Sequence, residues 1–264
     1  MRKHHDFILT PVSTILEEVE TAVNGVVEGM DSYPLFDYIM QSAFLKMTGF
    51  QEQKMKCICW EVATDDYKYR YERFKQSPLG EGSSYKDKKI VVDDLLKAIR
   101  RYESGFDNLS STDLTGIFSE TRQSLIQVQK SFADKGWAMK TYYDYELLTE
   151  NWNKDCLVFS KSGRLDEVLN HCENCGRKGA AASHTSCKIG KLRDIFDRAI
   201  EHRNRCAHNT LSYQRNLPSL DTMENEQYVF DNYFLRFAMI MIFDGIYMKL
   251  YKKYTEVADA SFEL

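Results

Sequence analysis

The stretch FDNYFLRFAMIMIFDGIYMKL, residues 230–250, decides the fold. Its apolar side chains recur at helical spacing, and further apolar residues fill most of the remaining positions: Phe230, Phe234, Phe237, Met241, Ile242, Ile246 and Leu250. A helix that is apolar nearly all round is buried among other elements. The pattern extends from Met223 or Glu224 to about Val257. We therefore expect an all-α protein, a multi-helix bundle with a long buried C-terminal helix.

Composition agrees with this expectation. The chain has 264 residues with only 4 Pro and 13 Gly, which favours long regular elements, and 43% of its residues are hydrophobic. We expect a single helical domain over residues 1–264, with an inserted loop at about 171–188. The most apolar run, Phe237 to Phe243, is far too short to span a membrane, so we expect no membrane partner.

Charge and cysteine content restrict the environment and the partners. The net charge of −4 excludes a global basic field, so an RNA partner would need a local basic patch. The seven cysteines are an odd number, and the polar start of the chain is not followed by the apolar segment of a secretion signal. Free thiols in a reducing cytoplasm are the expected state.

Five further helices are predicted before residue 135. They cover Phe7–Gly29, Tyr33–Thr48, Gln51–Gln76, Asp87–Phe106 and Thr112–Asp134, and Gly49 is expected to separate the second from the third. The helix over 51–76 is apolar on two faces, and the second face carries Trp60, Tyr67, Tyr71 and Phe74. Such a helix is usually buried between neighbours or shared with a partner chain.

The stretch EHRNRCAHNT, residues 201–210, carries the residues with the most chemistry. It ends a helix predicted from Gly190 to about Ala207, whose apolar residues would face the core: Leu192, Ile195, Phe196, Ala199 and Ile200. Asn209 is a plausible helix stop, because Asn tolerates the left-handed conformation. Arg203, Asn204 and His208 therefore come together in the last turn of an anchored helix.

These three residue types suit metal-free cleavage of RNA. His208 could move a proton near neutral pH, Arg203 could stabilise the charged phosphorane, and Asn204 could orient either the histidine or the phosphate. One histidine cannot easily serve both proton transfers, but a two-fold dimer would supply a second copy. The alternative is structural, with Arg203 capping its own helix and His208 a favourable cation near the same end.

The pattern Arg203-Asn204-x-x-x-His208 resembles the signature of the HEPN family (higher eukaryotes and prokaryotes nucleotide-binding domain). Members of that family are all-helical and commonly dimeric, and many are metal-independent ribonucleases of toxin–antitoxin, abortive-infection and CRISPR systems. The resemblance implies Arg203 and His208 as catalytic residues, Asn204 as a supporting one, a homodimer, and no cofactor required for catalysis. It also implies a toxin or phage-defence effector, with an antitoxin or another regulatory protein as a further partner.

A second set of residues could hold zinc. Two pairs of residues, each with two residues between its members, could supply three thiolates and one imidazole to a tetrahedral structural site: Cys172, Cys175, His184 and Cys187. The gap between the pairs is short for a zinc loop but rich in Gly and Ala, and the alternative is a polar loop with incidental thiols. The stretch is also basic, and with neighbouring arginines it forms the predicted RNA-binding patch: Lys188, Lys191, Arg198 and Arg205.

Three hypotheses follow. The first is a metal-independent endoribonuclease acting through the Arg/His site at a dimer interface. The alternative is a non-catalytic helical module that binds a nucleotide or a protein and that carries a structural zinc loop if the Cys/His stretch binds metal. The third is a helical protein whose essential feature is the zinc-bound Cys/His loop, with the Arg–His turn merely structural.

Overall fold

The computed structural model describes residues 2–26, 32–80, 82–131, 192–208 and 233–262. Within these ranges every regular element is a helix, which confirms the all-α bundle. The helices are α1 (His5–Leu9), α2 (Thr14–Asn24), α3 (Ser32–Asp65), α4 (Tyr67–Tyr71), which continues as a π-helix (Glu72–Gln76), α5 (Tyr85–Tyr102), α6 (Ser111–Lys130), α7 (Leu192–His208) and α8 (Tyr233–Phe262). The loop predicted over 171–188 lies outside these ranges, so the single domain with its insertion stays a prediction.

The C-terminal helix α8 is the centre of the described bundle. It packs against α1, α3, α5, α6 and α7, and its residues from Phe234 to Phe243 are all buried. Burial on every side explains why its apolar residues show no single face. The helix ends at Phe262 rather than near Val257. Among the helices that the structure describes, none has the length and apolar character needed to cross a membrane.

A buried ion pair fixes the N-terminal region to α8. The Lys54 Nζ of α3 lies 2.5 Å from the Asp244 carboxylate of α8, and both side chains are almost completely inaccessible. Lys54 also donates to the Thr10 carbonyl at 2.7 Å, and Asp244 accepts from the Val12 amide at 2.8 Å. These bonds compensate the buried charges of Lys54 and Asp244 for the loss of water, and they hold the α1–α2 connection against the core.

Two predicted helix boundaries are wrong. Gly49 does not end a helix, because α3 runs through it from Ser32 to Asp65. A helical Gly is only about 1 kcal/mol less favourable than Ala, and the buried residues on both sides of it outweigh that cost. The segment over 7–29 instead forms two helices, since Thr10, which precedes Pro11, is extended with ψ 119°.

The helix predicted over 51–76 is also interrupted. Asp66 has an extended backbone (ψ 104°), and its side chain accepts from the Tyr69 amide, which caps the start of α4. The chain therefore turns after α3 rather than continuing straight. This break brings the π-helix back beside α3, where the Phe74 and Trp60 rings meet edge to face at 6.2 Å.

The packing of α8 on α6 depends on a close approach at Gly245. A Cβ atom at this position would lie 2.8 Å from the Ile117 Cγ2 atom, a distance that real Cβ contacts do not reach.

The helix α6 begins with a capping box, in which the Ser110 hydroxyl accepts from the Asp113 amide and the Asp113 carboxylate accepts from the Ser110 amide.

Candidate functional site

The predicted motif lies at the C-terminal end of α7, and that helix is anchored as expected. Phe196, Ala199 and Ile200 are buried. The Phe196 ring packs edge to face against Tyr85 of α5 and Phe243 of α8, with centroids 5.9 and 5.4 Å apart. These contacts fix the helix that carries Arg203 and so give the motif a rigid base.

Arg203 is held by a carboxylate from another helix. Its Nη2 atom lies 3.3 Å from both carboxylate oxygens of Glu52, which belongs to α3. Its Nη1 atom donates to the Asn204 Oδ1 atom at 3.0 Å. The Arg203 side chain is 18% exposed, whereas Asn204 is exposed. The guanidinium is therefore fixed on one side by Glu52 and on another by the neighbouring amide.

A buried lysine lies beside this ion pair. Lys88 of α5 is 1% exposed, and its Nζ atom lies 3.3 Å from the Gly82 carbonyl and 5.3 Å from the centroid of the Phe196 ring. Burial lowers the pKa of Lys88 to about 7; the Glu52 charge acts to raise that pKa, and Arg203 acts to lower it further. The charge on Lys88 is therefore coupled electrostatically to both members of the Arg203–Glu52 pair.

A second cluster lies behind the motif, on the buried side of α7. The His202 Nε2 atom is 3.3 Å from the Cys206 Sγ atom and 3.4 Å from the Tyr233 hydroxyl. Gln41 of α3 donates to the same Cys206 sulfur at 2.6 Å. Because His202 is buried against these groups, it packs the helix into the core.

Sequence reasoning missed Glu52 and His202 as parts of the site. His202 could have been found, because it follows buried Ala199 by three residues and so falls on the same face of the helix. Glu52 carried no such signal. It lies 151 residues before Arg203, and only the packing of α7 on α3 brings the two together.

The remaining predicted residues are placed only in part. Arg203 and Asn204 are brought together as expected. Arg198, Arg205 and His208 are residues of α7, with His208 its last residue and one turn after Asn204, and the roles predicted for their side chains stay predictions. The other candidates lie outside the described residues, so the zinc site and the basic patch also stay predictions: Cys172, Cys175, His184, Cys187, Lys188 and Lys191.

No match is found when the chain is compared with protein-family models, with curated proteins or with solved structures.

Proposed function

We propose that the chain is a metal-independent endoribonuclease of the HEPN type that acts as a homodimer in the cytoplasm. The observation that carries this proposal is the fixed guanidinium of Arg203, held by Glu52 and Asn204 at the end of an anchored helix. A pre-oriented guanidinium is suited to binding phosphate oxygens, because its planar N–H groups match them in pairs. His208 ends the same helix one turn later.

The reaction is an internal transfer at phosphorus. One imidazole takes the proton of the 2′-hydroxyl, the 2′-oxygen forms a bond to phosphorus, and the bond from phosphorus to the 5′-oxygen breaks. A second imidazole, His208 of the other protomer, gives a proton to that leaving oxygen. Arg203 stabilises the additional negative charge on the phosphorane, and Asn204 keeps the guanidinium in position. The products are a 2′,3′-cyclic phosphate and a 5′-hydroxyl.

The biological context follows from the family resemblance. A ribonuclease of this kind would serve as a toxin or a phage-defence effector, and an antitoxin or another regulatory protein would restrain it. The net charge of −4 is consistent with selective rather than general RNA binding, because a uniformly basic surface is lacking.

The proposal is tested by incubating the purified protein with mixed cellular RNA in excess EDTA. Wild type is compared with His208→Ala, with Arg203→Lys, which keeps the charge but loses the planar fork, and with Arg122→Ala, an exposed arginine of α6 away from the site. We expect wild type and Arg122→Ala to leave cyclic phosphate ends, and the other two to lose at least about 100-fold in rate. Equal cleavage by wild type and His208→Ala would refute the assignment.

The non-catalytic alternative has one observation in its favour. Glu52 already forms an ion pair with the guanidinium of Arg203, as expected if the arginine has a structural role. If no protein cleaves RNA but wild type binds nucleotides and Arg203→Lys does not, the binding module is the better description.

A further inference from the structure

Four aromatic side chains lie on the surface of the protein; they are those of the second apolar face of the helix predicted over 51–76. Trp60 is 56% exposed, Tyr67 79%, Tyr71 53% and Phe74 45%. We call these four residues the aromatic surface. An exposed cluster of large aromatic rings marks an interaction site, because such rings gain free energy when a partner covers them.

Exposed cations alternate with these aromatic residues along the sequence. The sequence from 67 to 75 alternates aromatic and basic residues, and Lys68, Arg70 and Lys75 are exposed there, as is Lys56 on the preceding helix. The exposed carboxylate within the same segment is Glu72, whose oxygen lies 3.9 Å from the Lys68 amine. The aromatic surface is therefore locally basic, although the whole chain carries a net charge of −4.

Two further carboxylates in this region, those of Asp66 and Asp94, are already neutralised by partners inside the protein. Asp66 pairs with Arg101, and Asp94 accepts two bonds from Arg73, at 2.8 and 2.9 Å. A polar cleft of about 260 Å³ adjoins the aromatic surface and adds the exposed Lys97 to its lining. An anion that approaches this side of the molecule therefore meets an excess of positive charge.

The aromatic surface is connected with the Arg203 site along one side of α3. Glu52, which holds Arg203, is followed by Lys56 and Trp60 at four-residue intervals, so the three lie on one strip of the helix. The strip from Glu52 to Trp60 is about 12 Å long at about 1.5 Å per residue. That length corresponds to about four stacked nucleotides at about 3.4 Å each.

We infer that the aromatic surface binds single-stranded RNA, with unpaired bases stacked on its rings and phosphates near its cations, and that the bound strand runs along α3 towards Arg203. Stacking on exposed aromatic rings requires unpaired bases, and interleaved cations suit the phosphate backbone. A second protein copy fits less well, because lysines are depleted from the centres of protein interfaces and here they lie among the rings. Delivery to Arg203 rests on the proposed function, whereas binding of the strand does not.

The test uses the full chain and a fluorescent 2′-O-methyl oligonucleotide of about 12 nucleotides, which has no 2′-hydroxyl to attack and so reports binding alone. Fluorescence anisotropy measures Kd for wild type, for the double variant Tyr67→Ala/Tyr71→Ala, and for Tyr38→Ala. Tyr38 is the matched control, since it is 57% exposed on α3 but lies outside the aromatic surface.

The double variant is expected to weaken binding by at least about 10-fold, because one stacked ring contributes about 5-fold or more. Tyr38→Ala is expected to bind like wild type, and the same oligonucleotide in a duplex is expected to bind more weakly. The variant Lys68→Gln/Arg70→Gln is expected to reduce the slope of log Kd against log salt by about 0.7 for each lost phosphate contact. Circular dichroism checks that each variant is folded.

Binding by the double variant within about twofold of wild type would overturn the inference. If that variant instead lost dimerisation and kept its RNA affinity, the surface would be a protein interface and the inference would again be wrong. Failure of the proposed function gives a different result: no cleavage of natural RNA by wild type, together with tyrosine-dependent binding of the oligonucleotide.

Discussion

The buried lysine beside the candidate site makes a quantitative prediction about stability. Replacing Lys88 by Met keeps an unbranched chain of similar length and removes the charge. The pKa of Lys88 is lowered to about 7 in the folded protein by burial, from an ordinary value of 10.5. Between these two pH values the unfolded chain binds a proton that the folded chain does not, so the free energy of unfolding of wild type rises with pH.

The size of the stability change follows from the shift in the pKa of Lys88. One proton bound differently changes the free energy of unfolding by about 1.4 kcal/mol per pH unit. From about pH 7.5 to 9.5, wild type should therefore gain about 2–3 kcal/mol relative to Lys88→Met. Below about pH 7 both states of wild type are protonated, the buried charge carries its full desolvation cost, and the variant should be the more stable protein.

Urea denaturation followed by far-ultraviolet circular dichroism measures this difference in half-unit steps between about pH 6.5 and 9.5. Groups that titrate in both proteins cancel when the two curves are subtracted. Lys86→Met is the matched control, because Lys86 is an exposed residue of the same helix and should show no pH-dependent difference. Parallel curves for wild type and Lys88→Met would refute the reasoning, since they would mean that Lys88 keeps its proton in the folded state.

Three further predictions concern the free energy of unfolding measured in urea at neutral pH. Gly245→Ala should lower it by about 1–2 kcal/mol, because its Cβ atom would lie 2.8 Å from a side-chain atom of α6, whereas Gly116→Ala, with open space around it, should raise it by about 0.5–1 kcal/mol. Ser110→Ala should lower it by about 1 kcal/mol, because the capping box at the start of α6 is lost. Lys54→Met should lower it by about 3–5 kcal/mol, because the Asp244 carboxylate is left buried without its cation, and adding Asp244→Leu should recover most of the loss.

For each of these predictions, one experimental result would contradict the physical reason given for it. Equal effects of alanine at the two glycines would mean that α6 and α8 can move apart freely. An unchanged stability without the serine hydroxyl would mean that water replaces the cap. A double variant no better than Lys54→Met would mean that the amine itself, through its bond to the Thr10 carbonyl, supplies most of the stabilisation.

The sequence predicted the parts of the fold that depend on a single helix. Apolar residues at most positions of the first half of α8 require burial, and the spacing of Phe196, Ala199 and Ile200 defines the inner face of α7. Helix ends were less predictable. Gly49 and Asp66 both have low helix propensity, but their outcomes differ: α3 continues through Gly49, whereas the chain leaves the helical conformation at Asp66. Propensities of about 1 kcal/mol or less do not decide such cases, because tertiary packing contributes more.

Features that depend on two helices could not be predicted. The pairing of Glu52 with Arg203 needs the packing of α7 on α3, which local spacing does not contain. The second apolar face of the third predicted helix was expected to be covered, either by neighbouring helices or by a partner chain. The break at Asp66 turns the chain there, so Trp60 and Phe74 contact each other at the surface instead.

The charges around Arg203 explain how a guanidinium can be held by a carboxylate and still be available to phosphate. Glu52 pairs with Arg203 and also interacts electrostatically with the buried Lys88, so a protonated Lys88 weakens the attraction between Glu52 and Arg203. A phosphate that approaches Arg203 then competes with a carboxylate that has a second partner. When Lys88 loses its proton, Glu52 binds Arg203 alone and competes more strongly. In the proposed ribonuclease, a protonated Lys88 would therefore favour contact between the Arg203 guanidinium and an RNA phosphate, although the same buried charge lowers the stability of the protein at neutral pH.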